Sequence, residues 1–159
     1  IYEVWGFAYY AVAATPLKAY ANDITLGVWI MSGPLAGVLL KKIGATTIAE
    51  LLAAVVEMFL FSSWGASTII SGLVQGIGSE LGFTFTGYKN WSKIGLLLSS
   101  ITATIVTFSW DMIMSGYSDY APIMLIILFI VRFISIGFFS GILVYWIKLL
   151  VEKSGLLKK

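Results

Sequence analysis

The segment AELLAAVVEMFLFSSWG, residues 49–65, places two carboxylates in an otherwise apolar run. Glu50 and Glu57 are seven residues apart, which is close to two helical turns, so both side chains lie on one face of a helix. In a membrane, such a face must meet protein or a water-filled cavity, because lipid does not solvate charge. The segment therefore predicts a membrane helix with one polar face.

The composition of the whole chain agrees with a membrane location. Of the 159 residues, 59% are hydrophobic and 11% are charged, whereas soluble domains carry roughly 25% charged residues. Long apolar stretches alternate with short polar breaks, which is typical of several spans of about 20 residues each. Cysteine and histidine are absent, which excludes disulfides, thiol chemistry and imidazole acid-base chemistry.

We predict an all-α membrane protein, a six-transmembrane-helix bundle that forms one domain over residues 1–159. The spans are expected at residues 2–15, 24–40, 46–61, 68–86, 92–115 and 123–151. The first is too short to cross a bilayer, and we expect it to be incomplete at its N-terminus. Most lysines follow spans two, four and six, so the positive-inside rule predicts that both termini are cytoplasmic.

Glycines spaced four residues apart predict close helix contacts, because a missing side chain lets two backbones approach each other in lipid. Four such pairs occur: Gly33 and Gly37, Gly72 and Gly76, Gly78 and Gly82, and Gly137 and Gly141. Two of them fall in span four, which we therefore expect at the centre of the bundle.

The remaining ionisable residues within the spans differ in depth. Each costs about 2.5–3.5 kcal/mol at the centre of a membrane helix, so each is expected to face protein or a cavity. Glu80 and Arg132 lie deep and are predicted to form a structural ion pair. Glu50 lies near the cytoplasmic end of its span, where we expect a packing or subunit contact.

A second group of polar residues lies close to the predicted outer loops. Glu57, Gln75 and Asp111 are expected to share one outward-facing pocket. Aromatic residues lie in or beside the same loops, namely Trp64, Trp110, Tyr117 and Tyr120. Each alone fits an interfacial belt, but together with the polar group they indicate a site for a small, flat, polar or cationic molecule.

Several segments together resemble one family of membrane proteins. They are AELLAAVVEMFLF, STIISGLVQGIGSELGF, SWDMIMSGYSDYAP and VRFISIGFFSGIL, within residues 29–143. In this combination the chain resembles the S component of energy-coupling factor (ECF) vitamin transporters, of the YkoE type. The resemblance implies a multi-pass subunit of the bacterial cell membrane that binds thiamine or its hydroxymethylpyrimidine precursor. It also implies a transmembrane coupling subunit (EcfT-type) and two cytoplasmic ATPases (EcfA-type) as partners.

This resemblance agrees with the chemistry of the predicted pocket. A carboxylate can bind both the ring nitrogen and the exocyclic amine of an aminopyrimidine, with charge assistance when the ring is protonated. We assign that role to Glu57. The stacking partners would be Trp64, Trp110, Tyr117 or Tyr120, and Gln75 and Asp111 would bind the remaining polar groups. No cofactor, metal or nucleic acid is expected.

Other functions fit parts of the same pattern. The chain could bind another B vitamin, such as pyridoxine, or it could be a structural membrane subunit without a ligand. An intramembrane enzyme with paired carboxylates is disfavoured, because histidine and cysteine are absent and no metal-ligand spacing occurs. The sequence contains no GxxxxGK[ST] loop, so we expect no enzyme activity here, with ATP hydrolysis left to partner subunits.

Overall fold

A computed structural model describes residues 2–60 and 65–155 of the chain, and within these ranges it contains helices and turns but no strands. The helices are α1 (Tyr2–Ala13), α2 (Ala21–Trp29), α3 (Ser32–Leu40), α4 (Ala45–Phe59), α5 (Ser67–Phe85), α6 (Lys93–Met114), α7 (Pro122–Ile136), a π-helical segment (Gly137–Leu143) and α8 (Val144–Ser154). Short 3-10 turns, Lys18–Tyr20 and Tyr117–Asp119, precede α2 and α7. The predicted all-α fold is confirmed.

These helices make up six spans. Helices α2 and α3 together form the second span, and α7, the π-helical segment and α8 form the sixth. The stretches Lys18–Leu40, Lys93–Met114 and Pro122–Ser154 are long and apolar enough to cross a membrane, and Val4–Ala13 is a shorter apolar helix. The predicted six-helix membrane bundle is therefore confirmed.

The second span differs from its prediction in two ways. Its helical part begins at Ala21, so Asp23 belongs to the span rather than to the preceding loop. It is also interrupted after Trp29, and a new helix begins at Ser32. Pro34 explains the interruption, because proline has no N–H to donate to the carbonyl four residues earlier and its ring clashes with that carbonyl. The interruption brings polar backbone groups close to the middle of the span.

Helix α5 lies between α4 and α6, at the centre of the bundle as predicted. A side chain at Gly72 would meet Ala54 of α4 at 2.4 Å, and one at Gly82 would meet the backbone nitrogen of Ser99 in α6 at 2.1 Å. The prediction of a helix contact fails at Gly137, where a Cβ atom would have nothing within 4 Å. The glycines of α5 thus permit close packing on two sides of this helix.

We expect the substitution Gly82→Ala to destabilise the protein by about 1–3 kcal/mol, as overpacking of a well-packed interface does. The added methyl group would overlap the α6 backbone, which cannot move aside as a flexible side chain can. Gly137→Ala is the matched control, and it should leave stability unchanged or raise it slightly, because alanine favours helix more than glycine. Thermal unfolding in detergent measures both, and equal midpoints for the two variants would contradict this packing arrangement.

The two ends of the bundle differ in charge. One end, here called the basic end, contains the α3–α4 turn with Lys41 and Lys42, the α5–α6 turn with Lys89, and the C-terminal part of α8. The other end, here called the mouth end, contains the α1–α2 and α6–α7 turns and the start of α5. On the positive-inside rule the basic end is predicted to be cytoplasmic.

Candidate functional site

A buried ionic network joins three helices below the mouth end. Arg132 of α7 is fully buried, and its Nε atom contacts Oδ1 of Asp23 in α2 at 2.6 Å. Its Nη2 atom contacts Oδ2 of Asp111 in α6, also at 2.6 Å. Buried charges in a membrane protein require such partners. One guanidinium thus connects carboxylates from two other helices.

The predicted ion pair between Glu80 and Arg132 is wrong. Glu80 instead accepts hydrogen bonds from the backbone N–H groups of Gly44, at 2.8 Å, and Thr47, at 3.0 Å, at the start of α4. The reason lies in the packing: α7 contacts α2 and α6, whereas α5 lies between α4 and α6. The two side chains therefore face different neighbours and differ in depth, because Glu80 binds the α3–α4 turn at the basic end, whereas Arg132 binds Asp23 and Asp111 towards the mouth end. Glu80 stabilises the N-terminus of α4, where negative charge is favourable.

Tyr117 connects the α6–α7 turn to this network. Its hydroxyl donates to Oδ2 of Asp23 at 2.7 Å, and its ring packs edge-on against Phe108 at 5.7 Å. Burial raises the pKa of the Tyr117 phenol above its ordinary value, and the Asp23 carboxylate raises that pKa further. The hydroxyl therefore remains protonated at neutral pH and keeps its role as a donor.

Both oxygens of Asp111 already have partners. Oδ1 accepts a hydrogen bond from Ser115 at 2.7 Å. Oδ2 accepts from Arg132 at 2.6 Å and from the side-chain amide of Asn22 at 3.1 Å. This carboxylate holds its neighbours in place, which differs from the direct ligand contact expected from the sequence.

Three adjoining cavities extend from the mouth end into the bundle. The deepest has a volume of about 140 Å³ and includes Glu50, Glu57 and Trp29 in its lining. A middle cavity of about 70 Å³ lies between Gln75 and Trp110. An outer cavity of about 860 Å³ opens between Tyr120 and the turn before α2. Asn22 and Ser71 line all three, so the cavities form one continuous region.

The sequence-predicted residues come together around this region. Glu57 lines the deepest cavity, and Gln75 lines both the deepest and the middle one. Trp110 and Asp111 line the middle and outer cavities, and Tyr117 and Tyr120 line the outer one. Trp64 lies outside the residues that the structure describes. The ligand-binding roles assigned to these residues stay predictions.

Glu50 makes a packing contact and also lines a cavity, whereas only a packing or subunit contact was expected from the sequence. It accepts hydrogen bonds from the hydroxyl of Ser32 and the backbone N–H of Gly33, at the start of α3. This is the packing contact expected of it. The same residue also lines the deepest cavity together with Glu57. The two glutamates therefore share a helix face and a cavity.

The sequence analysis missed several cavity residues, among them Tyr9, Asn22, Trp29 and Ser71. The rings of Tyr9 and Trp29 are 6.0 Å apart at an angle of 60° and form one aromatic wall of the deepest cavity. The predicted spans leave Asn22 in a loop. An Asn-Asp pair next to an apolar stretch is nevertheless a signal of a polar site inside a membrane. Tyr9, Trp29 and Ser71 occur in apolar helices and carry no such signal.

The charge around the cavities favours a cationic ligand. Glu50, Glu57, Asp23 and Asp111 contribute four carboxyl groups to the cavities and their ionic network, against the guanidinium of Arg132 and the ammonium of Lys18, which lines the outer cavity. Within residues 2–60 and 65–155, no group of three or more acidic side chains is close enough to hold a metal ion. An aromatic wall beside an excess of carboxylates can bind a flat cation through its face and its edge.

Comparisons with known proteins agree with this architecture. A family model described as "ABC-type cobalt transport system, permease component" matches residues 1–106. The "Putative HMP/thiamine permease protein YkoE" of Bacillus subtilis (strain 168) is 34% identical over 123 residues, which cover 77% of this chain. The chain spans 62% of the length of that relative. A crystal structure of an S component of an ECF transporter matches with a TM-score of 0.91 at 29% identity, over 98% of this chain and 79% of that one.

Proposed function

This chain belongs to the family of ABC-type cobalt transport system permease components, and on that premise we propose that it is the substrate-capture subunit of an ECF importer. It takes hydroxymethylpyrimidine or thiamine from outside the cell and delivers it with a coupling subunit and two ATPases. One observation carries the proposal: a cavity region that leads from the mouth end to Glu57 beside an aromatic wall.

The size of the deepest cavity supports a single-ring ligand. A volume of about 140 Å³ is close to that of an engineered protein cavity of about 150 Å³ that binds benzene, so it suits one six-membered ring with small substituents. The middle and outer cavities would accept the second ring of thiamine. Glu57 would bind the ring nitrogen and amine of the pyrimidine, and Trp29 and Tyr9 would contact its face.

The charge distribution supports capture from the outside. With the basic end in the cytoplasm, as the positive-inside rule predicts, the mouth end faces outward and a ligand reaches Glu57 without crossing the membrane. The sequence has no GxxxxGK[ST] loop, so energy for release has to come from ATPases on the cytoplasmic side. This division of labour supports an EcfT-type coupling subunit with two EcfA-type ATPases as partners.

Calorimetry on the purified chain tests the proposal. We expect saturable, one-to-one binding of hydroxymethylpyrimidine or thiamine, and no binding of Co²⁺, because the sequence contains neither histidine nor cysteine as metal ligands. Binding of pyridoxine alone would keep the transport role but replace the substrate. Binding of Co²⁺ alone would overturn the organic ligand, and binding of none of these compounds would favour a structural subunit.

A further inference from the structure

Asn22 occupies a central place in the cavity region. It lies in the first turn of α2 and lines all three cavities, from the mouth end to Glu57. A ligand in any of the three cavities therefore lies beside this side chain. Its polar groups therefore bear directly on which ligands are accepted.

The orientation of the Asn22 amide is fixed by its neighbours. Its Nδ2 atom donates to Oδ2 of Asp111 at 3.1 Å and to the hydroxyl oxygen of Tyr117 at 3.3 Å. Asp111 forms an ion pair with Arg132 at 2.6 Å, and an ion-paired carboxylate only accepts hydrogen bonds. The atom that faces Asp111 must therefore be the amide nitrogen, because a carbonyl oxygen there would be repelled.

The carbonyl oxygen of the Asn22 amide remains available to a ligand. With both Nδ2 hydrogens used, the carbonyl oxygen Oδ1 points away from Asp111 and Tyr117. Within residues 2–60 and 65–155, no protein group donates a hydrogen bond to it. The Asn22 side chain is half-buried and lines the cavities, so a ligand there can supply a donor to this oxygen.

We propose that Asn22 Oδ1 accepts a hydrogen bond from the ligand and selects for a hydroxyl group next to the ring. This inference rests on the proposed function and adds a specificity residue to it. Glu57 would bind the ring nitrogen and one N–H of the amine, which leaves two donors on this edge of the ligand, the second amine N–H and the hydroxymethyl O–H. Of these two, the O–H is the one that pairs with Asn22. A ligand without this hydroxyl, thiamine included, leaves Oδ1 without that bond and should bind more weakly than hydroxymethylpyrimidine at this contact, which is the basis on which polar sites discriminate between analogues.

Two ligands that differ only in this hydroxyl test the proposal. They are 4-amino-5-hydroxymethyl-2-methylpyrimidine and 4-amino-2,5-dimethylpyrimidine, and their dissociation constants are measured by calorimetry on the full chain in lipid nanodiscs. The parent should prefer the hydroxymethyl compound by about tenfold, the value of one hydrogen bond. In Asn22→Ala the ratio should fall to about one, because no acceptor remains.

Two further variants, Ser71→Ala and Asn22→Ser, serve as controls for this comparison. Ser71→Ala removes a polar group from the same three cavities and should keep the preference, whatever its effect on either affinity. Asn22→Ser replaces Asn22→Ala if the latter does not fold, and it should lose the preference too. A preference retained by either Asn22 variant, or absent from a parent that binds both compounds, overturns this assignment alone. A parent that binds neither compound overturns the proposed function and this assignment with it.

Discussion

Replacing Arg132 with methionine is expected to lower the free energy of unfolding by about 3–5 kcal/mol, the cost of breaking a buried ion pair by removing one partner. Methionine fills much of the same volume but leaves Asp23 and Asp111 facing each other without the guanidinium that now joins them at 2.6 Å on each side. Asp23 is fully buried, so water cannot replace the lost partner. Denaturant unfolding, followed by tryptophan fluorescence, measures the change.

The Lys148–Glu152 pair provides the control for this prediction. Its charged atoms are 3.6 Å apart, and the Glu152 side chain is 42% exposed. Lys148 itself is largely buried, but Lys148→Met leaves the exposed Glu152 carboxylate hydrated, so the substitution should cost less than about 1 kcal/mol. Arg132→Lys should fall between the two variants, because one ammonium cannot reproduce the two-sided contact of a guanidinium. Equal losses in Arg132→Met and Lys148→Met would contradict the central place of the ionic network.

Replacing Glu57 with glutamine is expected to weaken ligand binding by about 10- to 150-fold. A hydrogen bond to a charged group contributes about 1.5–3 kcal/mol, and each 1.4 kcal/mol corresponds to about tenfold in affinity. Glutamine has nearly the same shape and is tolerated in a helix, so the fold should be unaffected. The loss should be measured by calorimetry with hydroxymethylpyrimidine and with thiamine.

Glu152→Gln is the matched control for Glu57→Gln, since it removes the same charge from a helix that does not line the cavities. We expect it to bind both ligands as the parent does. If Glu152→Gln weakened binding as much as Glu57→Gln, the effect would come from the overall charge of the chain. Glu57 would then have no specific role in recognition.

The fold could be predicted from the sequence to a large extent because lipid imposes simple rules. Apolar stretches of sufficient length predicted the spans, and the glycines of α5 predicted its central position. The interruption between α2 and α3 was missed, although Pro34 was visible, because a proline in a membrane helix produces a kink in some helices and a break in others. The backbone contact from Glu50 to Gly33 depends on that break.

The candidate site was predicted less completely from the sequence than the fold was, and the ionisable residues of the spans show the reason. Glu57, Gln75 and Asp111 could be grouped by depth, and the cavities include all three. Counting residues along the spans placed Glu80 and Arg132 at similar depths, although Glu80 binds Gly44 towards the basic end and Arg132 binds Asp23 and Asp111 towards the mouth end. Pairing within a bundle depends on the rotation of each helix about its axis. That rotation is set by packing between helices that are distant in the sequence.

The central claim is that the cavity region at Glu57 captures a pyrimidine. Mass spectrometry of small molecules released on denaturing the purified chain tests it most directly, with the parent and Glu57→Gln purified in parallel from the same bacterial host. The account predicts that the parent releases hydroxymethylpyrimidine or thiamine and that Glu57→Gln releases much less of it. Release of an unrelated compound by the parent, or of equal amounts of the pyrimidine by both proteins, would contradict the account.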